Sequence, residues 1–203
     1  MVRAMLIAVL ITIGLQGNAQ TESRITRYNY FFLEAIRQQE MGNLAAAFDL
    51  LNHARDINPK APEVYYEIAG YYVAMQNSKA ARYNFEQAAK LAPDNSTYLE
   101  KLGQFYISQN NYEDALTTYE QLYTSNKTRE DVLQILYQLY GAQNNYKKMI
   151  EMIERMELLS GASEQLSLTK MQIYEQMGDK RKAQAELLRL VQKNPLELNY
   201  RVM

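Results

Sequence analysis

Residues 65–93 read YYEIAGYYVAMQNSKAARYNFEQAAKLAP. On either side of Met75, Gln76 and Asn77, apolar and small side chains recur at three- and four-residue steps. That is the pattern of two amphipathic helices joined by a tight turn. Asn77 can accept the unpaired N–H groups that open the second helix, and Pro93 ends it because proline lacks a donor and restrains the residue before it. Working outward, the same hairpin is written five times. Gly42, Gln76, Asn110, Asn144 and Gly178 mark its turns, each 34 residues after the last. A second-helix column reads Ala47, Ala81, Ala115, Met149 and Ala183, and another reads Leu51, Phe85, Tyr119, Ile153 and Leu187. Late in the first helix stand Gln38, Tyr72, Tyr106, Tyr140 and Tyr174, and past the second stand Pro59, Pro93, Lys127, Gly161 and Pro195. No insertion or deletion breaks the phase. Self-similarity at this period predicts a stack of helical hairpins, an architecture that works by presenting an extended surface.

Tyr65, Ile68, Ala69, Tyr72, Ala81, Phe85, Ala88 and Pro93 in the second unit resemble the tetratricopeptide repeat, as do Leu99, Leu102, Gly103, Tyr106, Ala115 and Tyr119 in the third. The resemblance covers residues 28–195 and implies an all-α protein, an α-solenoid of about five hairpins wound into a right-handed superhelix. The units are expected at 28–61, 62–95, 96–129, 130–163 and 164–197, with residues 20–27 as a lead and 196–203 as the start of a further helix.

The turns need a residue that accepts left-handed backbone angles, which Gly and Asn supply. Gln76 does not, so its turn is expected to be built differently. Asn43, Asn77, Asn111, Asn145 and Asp179 follow the turns as expected caps. Small residues at the helix crossing, Ala35 and Ala69, face Ala47 and Ala81. The fourth unit departs, with Tyr137 at the crossing and Met149 and Met156 in place of alanines, so methionine is expected to fill irregular gaps. In the fifth, Ser167 and Lys170 stand at normally apolar positions and leave its register the least defined. Glu34 and Gln38 depart similarly in the first.

The chain has 203 residues, 22 basic and 23 acidic side chains, a net charge of −1 and no cysteine. No basic excess points to nucleic acid, and disulfides and thiol chemistry are excluded. The start reads as a secretory signal: Arg3, an apolar run from Ala4 to Leu15, then small residues at Gly17, Asn18 and Ala19. The run is shorter than the roughly 20 residues of a spanning helix. Cleavage is expected after Ala19, so residues 1–19 form a signal peptide, with no stable membrane insertion afterwards and a periplasmic or secreted address. The absent cysteine argues against a lipid-anchored envelope protein. Arrays of this kind end in a polar cap helix, and none follows Pro195. The chain therefore reads as a fragment of a longer protein, or as one whose open end a second copy covers to give a homo-oligomer.

The single histidine, His53, falls on an outer helix face and offers no zinc pair or triad. No glycine-rich phosphate loop appears. No catalytic, cofactor or metal site is expected, and the chain reads as no enzyme. In the resembled family the first helix of each hairpin lines the concave face. That places Phe32, Ile36, Gln39, Tyr66, Gly70, Val73, Gln104, Ile107, Gln134, Gln138 and Gln172 on it, apolar and aromatic early, amide-rich later. Such side chains suit an extended peptide, supplying contact area and hydrogen bonds. Relatives that grip the carboxylate tail of chaperones use Lys, Arg and Asn in the groove. The matching positions here hold Phe32, Ile36, Tyr66, Gly70, Glu100 and Gln104, so that ligand is not expected. The resulting expectation is a protein-interaction scaffold for a protein or peptide ligand. The alternatives are a docking or sensor segment of a longer regulatory protein and a glycan-binding envelope component.

Overall fold

The computed structural model describes residues 22–193. The expected signal segment and the expected final helix lie outside the described residues. Among those residues there are ten α-helices and no strand. Helix α1 covers 22–40, so residues 22–27 are helical too. It pairs with α2 (Leu44–Ile57), α3 (Pro62–Ala74) with α4 (Ser78–Leu91), and α5 (Ser96–Ser108) with α6 (Tyr112–Ser125). The last two hairpins are α7 (Glu130–Ala142) with α8 (Tyr146–Ser160) and α9 (Glu164–Gln176) with α10 (Lys180–Lys193). The protein is thus an all-α helical repeat.

One turn closes all five hairpins. Gly42, Gln76, Asn110, Asn144 and Gly178 take φ values of +80°, +57°, +57°, +54° and +74°. In each, the next residue donates its N–H to the carbonyl five positions back: Asn43 to Gln38, Asn77 to Tyr72, Asn111 to Tyr106, Asn145 to Tyr140 and Asp179 to Tyr174, at 2.8–2.9 Å. This is the Schellman closure, which satisfies carbonyls that the helix end would orphan. Gln76 therefore builds the same turn as its glycine and asparagine counterparts, against the sequence expectation. The Schellman bonds hold it in the left-handed region despite its Cβ. Asn77, Asn111, Asn145 and Asp179 cap the following helices through Ala80, Asp114, Lys148 and Lys182 N–H groups. Asn43 does not. Its side-chain amide donates instead to Gln38 at 2.7 Å, an acceptor present because the tyrosine column starts with glutamine.

The chain divides into two compact units, one through Leu102 and one from Gly103. In the first, Ala35, Leu51, Ala54, Ala61, Val64 and Ile68 form a core with Tyr28, and Phe48 packs against Tyr71 and Tyr72 at 5.4 Å. Ala35, Ala47, Ala69 and Ala81 are wholly buried, as close helix crossings require. Burying a side chain such as Leu51 or Ile68 contributes roughly 1.5–3 kcal/mol.

In the second unit, Gly103 makes room for the wholly buried Tyr119. A Cβ there would stand 2.7 Å from its ring. Tyr137 packs beside a core of Ile150, Ile153, Met171, Ile173, Tyr174 and Ala183. Met149 fills space against Gly141, and Met152 and Met156 are buried. Ser167 and Lys170 keep the inward register of their columns at 3% exposure each. Lys170 is held by Glu157 of α8 at 2.8 Å and Glu186 of α10 at 2.9 Å. Tyr106, Tyr140 and Tyr174 are core residues, whereas Tyr72 is half-buried.

Candidate functional site

The surface to consider is the face of the first helices, taken unit by unit. In the first unit, α1 presents Phe32, Ile36 and Gln39, and α3 presents Tyr66, Gly70 and Val73. Phe32, Ile36 and Tyr66 are half-buried, whereas Gln39, Gly70 and Val73 are exposed. Phe32 stacks on Tyr28 at 5.9 Å with the rings 11° apart. Tyr66 lies beside Tyr98 of α5 at 5.1 Å, and its ring meets Phe85 edge-on at 6.3 Å. Stacked and edge-on pairs of this kind hold aromatic surface in fixed orientation.

Two carboxylates that sequence reasoning passed over belong to the same region. Glu63 accepts the Tyr28 hydroxyl. Glu67 is half-buried near the Gln39 amide, whose oxygen accepts from Tyr71 at 3.3 Å. Burial pushes the Glu67 carboxyl above the usual carboxylate range, with the Gln39 amide pulling the other way. Burial also raises the Tyr66 and Tyr98 hydroxyls, and the carboxylates reinforce it, Glu67 for Tyr66 and Glu63 then Glu67 for Tyr98. Two of the three cations of α1 bond elsewhere. Arg24 donates to the Ile57 carbonyl at 2.6 Å, and Arg37 and Gln38 hold Glu34 down to about 2. The signal that could have found the carboxylates was spacing: Glu63 and Glu67 are four apart on a helix and flank Tyr66.

In the second unit, Gln104 and Ile107 lie on α5, Gln134 and Gln138 on α7, and Gln172 on α9. Ile107 is half-buried and the four glutamines are exposed. Among the described residues, none of these four side-chain amides is hydrogen-bonded to protein. Each therefore has donors and an acceptor facing water. Neither unit gathers three metal-ligating side chains among the described residues, and none of their helices is long and apolar enough to cross a membrane. His53 is exposed, its ring edge-on to Phe31 at 4.2 Å.

A family model described as the tetratricopeptide repeat matches residues 66–129. No curated protein sequence matches the chain. Solved structures share the fold. YrrB, described as a TPR protein with an unusual peptide-binding site, aligns at 15% identity and a TM-score of 0.57 over 84% of this chain and 88% of its own. A tetratricopeptide repeat protein from Parabacteroides merdae aligns at 17% and 0.60 over 86% and 70%. MamA from Desulfovibrio magneticus aligns at 14% and 0.55 over 84% and 97%.

Proposed function

The chain is a tetratricopeptide-repeat protein, and from that premise we propose that it binds an extended polypeptide segment on the faces of its first helices. It is a binding scaffold rather than a catalyst. One observation carries the reading: these faces hold ordered aromatics and amides that stay accessible, while the tyrosine column behind three of them is buried. A surface already ordered by repeat packing loses little entropy when a segment docks. The peptide-binding site reported for YrrB supports the same use of a related fold. A photo-reactive residue placed at Tyr66 or Gln138 should cross-link to a partner polypeptide. The same residue at the exposed Tyr83 of the second helix α4 should not. Equal labelling from both faces would overturn the proposal.

We also propose export, from the reading of Arg3 to Ala19. Amino-terminal sequencing of the protein from its native cell should begin at Gln20, and retention of Met1 would remove the envelope from the proposal.

A further inference from the structure

The binding reading above can be carried to the chemistry of the ligand, and the inference rests on it. We propose that the first-helix face of the first unit receives a basic side chain, arginine or lysine, from an extended polypeptide. Helix α3 carries two charges, Glu63 and Glu67, and no cation. Being four apart, they lie on one side of the helix, with Gly70 on the next turn and Tyr66 between them. Like charges at this spacing repel, and neither carboxylate forms an ion pair among the described residues. Glu63 has the Tyr28 hydroxyl and Glu67 the Gln39 amide, both neutral. The cations on neighbouring helices leave them so. Arg24 and Arg37 are engaged as described, and Arg27 and Lys101 are exposed and bond to neither. Two carboxylates therefore stand without an ion-pair partner among the described residues, beside the Tyr66 and Tyr98 rings, 5.1 Å apart.

Aromatic faces beside carboxylates attract a cation twice over, through the ring quadrupole and through direct charge. Gly70 supplies space. It is exposed, and a Cβ added to it meets no atom within 4 Å, so a side-chain stem can cross the helix there on its way to Glu67. An acidic segment would be repelled. A neutral apolar one would bury Glu67 further with no counter-charge, which is costly. A divalent metal lacks a third carboxylate or imidazole, since no such cluster exists among the described residues.

The test measures fluorescence anisotropy of end-capped ten-residue peptides titrated with the full chain. One peptide alternates Arg and Ser, and its counterparts carry Gln or Glu in place of Arg. The Arg peptide should bind about tenfold tighter than the Gln peptide, with no binding of the Glu peptide, and added salt should weaken it. Glu67→Gln should cost about tenfold for the Arg peptide only, whereas Glu113→Gln on α6 should cost nothing. Gly70→Leu should abolish binding while circular dichroism and the unfolding midpoint show the fold intact. Equal affinity for the Arg and Gln peptides, or equal loss in Glu113→Gln, overturns the basic preference. If the Gln peptide then binds and Gly70→Leu abolishes it, the scaffold reading stands alone. If no peptide binds and Tyr66 cross-links nothing, both fall.

Discussion

Gln76 is the residue whose conformation least suits its chemistry. At φ +57° its Cβ crowds the following carbonyl, a cost of roughly 1–2 kcal/mol that glycine avoids. The turn persists because two backbone bonds, Gln76 to Val73 at 3.0 Å and Asn77 to Tyr72 at 2.9 Å, fix it from both sides. Gln76→Gly should therefore stabilise the protein by about 0.5–1 kcal/mol, the strain relieved being partly offset by the freer unfolded chain. Urea denaturation would read this as a higher midpoint with an unchanged slope. Gly103 is the opposite case, a glycine at negative φ whose value is space. Gly103→Ala places a methyl 2.7 Å from the buried Tyr119 ring and should cost about 1–3 kcal/mol. The double variant with Tyr119→Leu should recover much of that loss. Residues of both kinds show what a repeat column does and does not specify. It fixes where a turn or a crossing falls, and leaves each copy to solve the local sterics with the side chains it has.

Three successive helices of the fourth and fifth hairpins are joined by one lysine. Lys170 of α9 lies between Glu157 of α8 and Glu186 of α10, and Arg189 faces the outer oxygens of both carboxylates at 3.7 Å. Burial by itself would push the ammonium down, but the bonds to both carboxylates outweigh it and hold Lys170 above the usual lysine range. Lys170→Met leaves two poorly solvated carboxylates facing each other and should cost about 3–5 kcal/mol. The pH dependence follows from the raised value. The contribution of Lys170 is present in full well below about 10.4, where a lysine in the unfolded chain is half deprotonated, and disappears as pH rises through the higher folded value. Alkaline titration of stability should show this loss in the parent and not in Lys170→Met. In sequence, Lys170 only weakened the pattern, because a charge at an apolar position says nothing of the two acids that meet it from other helices. The hairpins, their turns and the tight crossings were legible because each depends on residues within one 34-residue repeat. Glu63 and Glu67 went unread for the reason Lys170 did: their environment comes from α1 and α5, across repeat boundaries.

Over the whole molecule, stability in such an array is a sum of hairpin terms and contacts between neighbours, with no single core shared by distant repeats. Two of its cores are local in this sense: the core around Leu51 and Ile68 belongs to the first unit, and the core around Ile153 and Met171 to the second. It follows that damage should stay where it is made. Lys170→Met removes the link among α8, α9 and α10, so hydrogen exchange should accelerate most in those helices. The effect should fade through α7 and α6, leaving α1 to α4 at parent rates, because local opening there breaks none of the altered contacts. Addition of the arginine peptide should act in the opposite place, slowing exchange in α1 and α3 and leaving α9 and α10 unchanged. A globular domain with one shared core would respond otherwise, its slowest amides all shifting by the same factor with either perturbation. Uniform acceleration along the chain in Lys170→Met would therefore refute nearest-neighbour stability for this protein. Confinement to α8–α10 would show that the first unit keeps its packing when those helices are loosened.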